Sequence, residues 1–301
     1  MTRIEPADFA RLRDVRAADP GAVETAHRAR TRRPLLGDDG RLFIVAADHP
    51  ARGALGVGGD PLAMADRGDL LERLAEALSN PQVDGVLGTA DILDDLALMG
   101  LLENKVVVAS MNRGGLRGSA FEMDDRYTAI DAQSARRMGA DMTKALVRVD
   151  VDDPGTVSTL EATGQVVAEC AAADIPIMLE PFISRRVDGL VVNDLSAEAI
   201  IHSIAIAAGL GGTSSHSWLK IPVIDDMERV MAATTLPTML LGGDSGPDLD
   251  GTLQQWERAL RLPGVRGLTV GRTMLYPPDG DVSSAVARAA EMVHPSRTAR
   301  S

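Results

Sequence analysis

The sequence predicts an α/β fold, a single (β/α)8 TIM barrel with extra N-terminal helices, and three observations carry that expectation. Apolar runs of β type alternate with helical patterns eight times, the count of a closed barrel. Several of those runs are almost continuously apolar, as parallel strands buried on both faces are. The turn after the first run, Ala47-Asp48-His49-Pro50, lacks the glycine fingerprint that an open doubly wound sheet usually carries there.

In chain order, helical stretches near 5–18 and 20–32 come first. They belong to an N-terminal extension over residues 1–40, placed under or beside the barrel, whose Arg28 to Arg33 read as a solvated helix end. The barrel itself is expected over 41–294. Its first strand is 42–47, where Leu42, Phe43, Ile44 and Val45 run together. A helix near 61–79 follows, with Leu70, Leu71, Leu74 and Leu78 at helical spacing. The second strand is 83–88, the second helix 90–102, and the valine-rich third strand 105–110. A helix near 128–138 leads to strand 141–148, then a helix at 156–173 to strand 175–180. After a helix at 194–209, the sixth strand, 217–222, holds Ser217-Trp218-Leu219-Lys220-Ile221-Pro222. Helix 225–233, strand 237–242, helix 248–261, strand 266–271 and helix 281–293 complete the alternation, and 295–301 reads as a frayed tail. No Pro/Gly/Ser linker divides the chain, so one domain over residues 1–301 is expected.

Composition excludes several classes. A net charge of −12 argues against nucleic-acid or anionic-membrane partners, yet leaves room for a locally basic pocket. No run approaches the roughly 18 apolar residues of a membrane span. Cys170 is the only cysteine, so an intrachain disulfide is impossible; with no signal-peptide layout at the N-terminus, a cytoplasmic protein is expected. The histidines at 27, 49, 202, 216 and 294 show no zinc-site spacing, and a reaction needing neither metal nor cofactor is expected.

Chemistry is expected at the C-terminal strand ends, where such barrels place their sites. Lys220 stands inside an apolar strand. Burial disfavours a lysine's ammonium form, and only the neutral amine attacks a carbonyl. Asp48 ends the first strand, Lys144 lies in the fourth, and Glu180 ends the fifth. Period-two alternation puts Trp218, Lys220 and Pro222 on one face, Met178 with Glu180, and Ile44 with Ala46 and Asp48. Inward polar groups at several strand ends are too costly to be packing filler. Lys220 is the candidate nucleophile, Asp48 and Glu180 candidate proton carriers, and Lys144 a like-charge neighbour. Simpler readings remain open: an internal ion pair for Lys144 with Glu180, and a loop cap for Asp48.

A phosphate site is expected from Gly242 and Gly243 after the seventh strand and from Gly271 and Arg272 after the eighth, where glycine-freed amides and a guanidinium suit a dianion. Arg113, in the basic loop after the third strand, and Arg148, ending the fourth, join Arg52 as candidates for an anionic group on the far side. The alternative is that these arginines close a loop over solvent.

Four segments carry a family resemblance: Ala140 to Val147, Ile175 to Pro181, Trp218 to Val223, and Gly271-Arg272. They resemble the class I tagatose-bisphosphate aldolase group, which includes sulfofructose-phosphate aldolases and is related to deoxyribose-phosphate and archaeal-type fructose-bisphosphate aldolases. More closely, the chain is similar to an actinobacterial aldolase-like family associated with inositol catabolism. The resemblance implies a (β/α)8 fold, Lys220 as the Schiff-base lysine, and Asp48, Lys144 and Glu180 as its neighbours. It also implies a phosphorylated substrate and cleavage of 5-dehydro-2-deoxygluconate 6-phosphate to dihydroxyacetone phosphate and malonate semialdehyde; a homo-oligomer is expected as well. Alternatives are a deoxyribose-phosphate-type, ketose-bisphosphate or sulfofructose-phosphate aldolase, and a barrel that binds sugar phosphates without turnover. The chain departs from the archaeal-type pattern at Pro50, where Asp-His is followed by glycine there. The fourth strand reads Lys144 to Arg148 with no tyrosine acid, so the proton donor is unassigned.

Overall fold

The computed structural model describes residues 4–242 and 249–295. Among these residues nine strands are formed: β1 (Leu42–Ala46), β2 (Gly85–Gly88), β3 (Val106–Ser110), β4 (Met142–Val149), β5 (Ile177–Val187), β6 (Leu190–Asn193), β7 (Ser217–Pro222), β8 (Thr238–Leu241) and β9 (Val265–Val270). All except β6 pair in parallel, each with its neighbour in order, and β9 returns to β1 with Leu42 opposite Gly267. The ring is a closed eight-stranded (β/α)8 barrel.

Alternation along each strand sorts the core into two layers, as the pleat requires. Leu42, Ile44, Val106, Val108, Met142, Met178, Trp218 and Met239 fill the barrel interior. Phe43, Val45, Val107, Ala145, Leu219 and Ile221 pack outward against the helices. Trp218 in the inner layer and Leu219 in the outer one place Lys220 inside.

Two helices, α1 (Pro6–Ala18) and α2 (Gly21–Ala29), precede the barrel. The outer helices are α3 (Arg67–Ser79), α4 (Ala90–Leu98), α5 (Ala132–Arg137), α6 (Gly155–Ala172), α7 (Ala197–Ala208), α8 (Met227–Met231), α9 (Leu249–Leu260), the single turn α10 (Arg272–Leu275), and α11 (Val282–Val293). The helix expected from residue 61 starts only at Arg67, where Asp66 accepts from the amides of Gly68 and Asp69. The one expected over 128–138 is cut to Ala132–Arg137 by the Asp131 cap. In both places a side-chain cap, not the apolar period, fixes the boundary.

The fifth strand does not stop at Glu180. It runs on to Val187 and returns as β6 in an antiparallel ribbon, with Val187 opposite Leu190. The connecting Asp188 and Gly189 have φ of 50° and 81°, the paired positive values of a tight hairpin turn. The Asp-Gly signal was present in the sequence.

Of the arginines before β1, Arg28 is exposed as a solvated helix end would be, whereas Arg30 and Arg33 are not. Arg30 is buried and donates to the Lys105 carbonyl at 3.0 Å and to Asp141 at 3.2 Å. Arg32 holds the other oxygen of Asp141 at 2.6 Å, and Arg33 pairs with Asp84. They bind the N-terminal segment to the starts of β2 and β4.

His294, after α11, sits between two carboxylates: Nδ1 is 2.6 Å from Asp39 and Nε2 is 2.9 Å from Asp84. Burial alone would lower its pKa, but the hydrogen bonds to Asp84 and Asp39 and their charges win and raise it above 6.5. Its contribution to stability is therefore complete below the unfolded pKa and is lost as pH rises through the folded one. His294→Gln is expected to lower Tm by about 2–5 °C at pH 6 and by less at pH 9. Melting curves at the two pH values check this, and an equal deficit at both would remove the charge argument.

Candidate active site

The C-terminal mouth of the barrel encloses a cavity of about 510 Å³. Asp48, Lys144, Glu180 and Lys220 all line it, although they come from four different strand positions. Register brings them level. Ser110 on β3 stands beside Lys144 on β4, Leu146 stands opposite Glu180, and pairing of Leu179 with Leu219 carries Glu180 next to Lys220.

The four side chains form one ionic chain. Lys220 Nζ donates to Glu180 Oε1 at 2.6 Å, and Lys144 Nζ bonds to Glu180 Oε2. Lys144 also reaches Asp48 Oδ2 at 3.3 Å. That same Asp48 oxygen accepts from Ser110 Oγ at 3.0 Å and from Arg113. Glu180 thus bridges both lysines, a wider arrangement than the Lys144–Glu180 pair considered from sequence.

Electrostatics follow from the geometry. Burial pushes both carboxyls up, but nearby cations overrule it. Arg113, Lys144 and Lys220 hold Asp48 well below the usual carboxylate range, and Lys144 and Lys220 hold Glu180 at about 2. Burial is also the main cause that lowers the Lys144 pKa. Arg113, Lys144 and Lys220 share two carboxylates. Loss of one proton from a lysine balances the cluster, and a neutral amine is the nucleophile imine chemistry needs.

The remaining expected residues divide. Gly242, Gly271 and Arg272 line the cavity, whereas Gly243 lies outside the described residues. A Cβ at Gly271 would sit 2.4 Å from the Ala46 carbonyl and 2.9 Å from the His49 ring, so only glycine lets β9 close on β1 there. Arg113 lines the cavity through its bonds to Asp48 and Ser110. Arg148, expected from the sequence as a ligand, does not line the cavity. It is buried away from the cavity wall, paired with Glu122 at 2.5 Å and bonded to the Glu122 carbonyl at 3.0 Å. Two residues past Leu146, β4 has risen beyond the cavity, and the loop after β3 covers it. Arg52 lines the cavity but is also engaged, with Asp125 at 2.7 Å and the Gly115 carbonyl at 2.6 Å. These arginines do close a loop, and they do it with buried partners rather than over solvent.

Sequence reasoning passed over several lining residues. His49 sits directly after Asp48 at the end of β1, and that adjacency was the available signal. Asn193 and Leu195 arrive through the unexpected hairpin, and Thr252, Gln255 and Trp256 from α9. Among the described residues no group of three His, Cys, Asp or Glu side chains is arranged to hold a metal ion. Nor is any helix long and apolar enough to cross a membrane.

The chain is 62% identical to Cgl0159 of Corynebacterium glutamicum (Brevibacterium flavum), whose crystal structure superposes with a TM-score of 0.95 over 97% of this chain and 98% of that one. An archaeal fructose 1,6-bisphosphate aldolase shares the fold at 18% identity, with a TM-score of 0.64 over 91% of this chain and all of that one. A 2-amino-3,7-dideoxy-D-threo-hept-6-ulosonate synthase of Archaeoglobus fulgidus is 22% identical over 174 residues, 58% of this chain. The alignments span 60% of that synthase and only 3% of a reducing polyketide synthase of Floropilus chiversii, 36% identical over 77 residues. The Cgl0159-like family model matches residues 40–290, which is the barrel with its whole ionic cluster. The chain belongs to the Cgl0159-like family.

Proposed function

We propose that the protein is a class I aldolase that cleaves a phosphorylated sugar or sugar acid through a Schiff base on Lys220. The observation that carries this reading is Lys220 Nζ inside the mouth cavity, held 2.6 Å from a carboxylate that a second buried lysine shares. A solved archaeal aldolase of the same fold, 18% identical, has its catalytic lysine bound to a carbinolamine intermediate of the substrate, which supports the reading by analogy of fold. In this scheme the neutral Lys220 amine adds to the ketone, water leaves, and the iminium draws electrons from the carbon–carbon bond that breaks. Lys144 holds the carbinolamine oxygen, and Glu180 keeps both lysines in place.

Charge favours an anionic substrate. Among the described residues lining the cavity, Arg52, Arg113, Lys144, Lys220 and Arg272 are cationic, against Asp48 and Glu180. The phosphate is assigned to Arg272 with the backbone at Gly242 and Gly271. The substrate assigned is 5-dehydro-2-deoxygluconate 6-phosphate, giving dihydroxyacetone phosphate and malonate semialdehyde, and it rests on the motif resemblance to inositol-catabolism aldolases. Binding its carboxylate through Arg113 or Arg52 requires exchange of Asp48 or Asp125 for the substrate.

Borohydride reduction in the presence of dihydroxyacetone phosphate, followed by peptide mapping, tests the reading. An adduct on Lys220 is expected, and one on Lys144 alone would reject the assignment. Arg272→Ala should raise KM for the phosphorylated substrate roughly 10- to 150-fold, the loss of a charge-assisted contact. An equal effect on an unphosphorylated analogue would place the phosphate elsewhere. Comparing kcat/KM for that acid with the values for tagatose bisphosphate, fructose bisphosphate, sulfofructose phosphate and deoxyribose phosphate decides the substrate.

A further inference from the structure

We propose that His49 carries the proton in carbon–carbon cleavage, and that phosphate binding at Arg272 makes it basic enough to do so. The inference rests on the Schiff-base reading of Lys220 given above. It begins from a shortage. Both carboxylates among the described lining residues are paired with cations: Glu180 with Lys220 and Lys144, and Asp48 with Arg113 and Lys144 through the oxygen that also accepts from Ser110. Carboxylates held this firmly ionised are poor proton acceptors. Neither chain tyrosine, Tyr127 nor Tyr276, lines the cavity.

Among the described lining residues His49 is the one titratable group that is neither a carboxylate nor a member of the lysine and arginine set, and it is placed differently. Its Nδ1 is buried and finds no hydrogen-bond partner among the described residues. Among the described residues the closest carboxylate oxygen, Asp48 Oδ1, is 3.8 Å away, beyond a hydrogen bond but near enough to favour the tautomer protonated on Nδ1. That tautomer leaves the lone pair on Nε2. The ring is seated by Gly271, where any side chain would strike it. A glycine from the phosphate loop and the residue after Asp48 thus share one contact.

Its surroundings in the protein keep this imidazole weakly basic. Burial pushes its pKa down first; Asp48 raises it; the charges of Arg272, Lys220 and Lys144 lower it again, leaving about 3. Arg272 is the largest of the three cationic contributions. A phosphate dianion on Arg272 cancels that repulsion and adds negative charge nearby, and both changes favour the imidazolium. Substrate recognition at one end would then activate the base at the other.

The step balances without another reactant. With the ketone carbon held as an iminium on Lys220, Nε2 takes the proton of the hydroxyl on the β-carbon. The O–H electron pair becomes the aldehyde C=O bond, the α–β carbon bond breaks, and its electrons neutralise the iminium to an enamine. The aldehyde leaves. His49 returns the proton to the enamine carbon, and water hydrolyses the restored iminium to free ketone and Lys220.

Dihydroxyacetone phosphate alone suffices for the test, because its iminium exchanges the α-hydrogen only when a base removes it. In deuterium oxide the wild-type protein should incorporate deuterium into dihydroxyacetone phosphate. His49→Gln should slow that exchange by about 10²- to 10⁴-fold while the borohydride adduct on Lys220 forms in wild-type yield, which also shows the variant is folded. Exchange within about threefold of wild type, with the adduct intact, overturns the role of His49. Absence of an adduct in the wild type overturns the Lys220 reading instead, and this inference with it. Ring-labelled histidine NMR tests the coupling. Inorganic phosphate, at a concentration that inhibits adduct formation, should move the His49 titration up by about one pH unit or more, and not in Arg272→Ala. A titration unmoved by phosphate in the wild type overturns the switch.

Discussion

Lys220→Ala is expected to lose at least about four orders of magnitude in turnover and all borohydride-trapped adduct. The size of the loss follows from the role, since no other group can supply the electron sink once the iminium cannot form. The fold should survive, because Glu180 keeps Lys144 as its partner and no carboxylate is left buried without a cation. Circular dichroism and melting then separate loss of chemistry from loss of structure. Chelators should leave the wild-type rate unchanged. Turnover within tenfold of wild type would dismiss the covalent mechanism, whatever the fold suggests.

Glu180→Gln is expected to damage stability as well as activity. Glu180 is the shared carboxylate partner of two buried lysines, and of the two only Lys144 has a second carboxylate within reach among the described residues, Asp48 at 3.3 Å. Removing one partner of a buried ion pair costs about 3–5 kcal/mol, or on the order of 6–20 °C in Tm. The pH dependence identifies the cause. Burial already lowers the Lys144 pKa, and loss of the carboxylate lowers it further, so the unfolded chain binds more protons than the folded one. Stability of the variant therefore rises with pH, and its deficit should be larger at pH 6 than at pH 9. A deficit that does not change with pH would mean that packing, not charge, is what the substitution disturbs.

The barrel was legible because each of its strands is a short apolar run, and inward polar residues stand out against that background. Asp48, Lys144, Glu180 and Lys220 were visible for the same reason. Which lysine meets Glu180 was not visible, because it depends on the stagger between β5 and β7, which no local pattern encodes. The arginines misled in both directions. Arg148 looked like a ligand because its carboxylate, Glu122, lies on a loop many residues away. Arg30 and Arg33 looked solvated because Asp141 and Asp84 come from distant strands. The hairpin after Glu180 was passed over although Asp188-Gly189 marks it, since charged Arg185 and Arg186 interrupt its apolar alternation.

Asp84 has a role in time as well as in space. It accepts the amide of Phe43 at 2.7 Å, pairs with Arg33, and lies 2.9 Å from His294. One carboxylate at the start of β2 therefore gathers the segment before the first strand, the first strand itself, and the end of the last helix. Contacts between segments this far apart in the chain are expected to form late in folding, because the entropy of closing so long a loop must be met first. Interactions absent from the transition state act on the unfolding rate rather than the folding rate. The acidic knot at the base of the barrel is thus a brake on opening, setting how long the mouth cavity persists and not how quickly it is made.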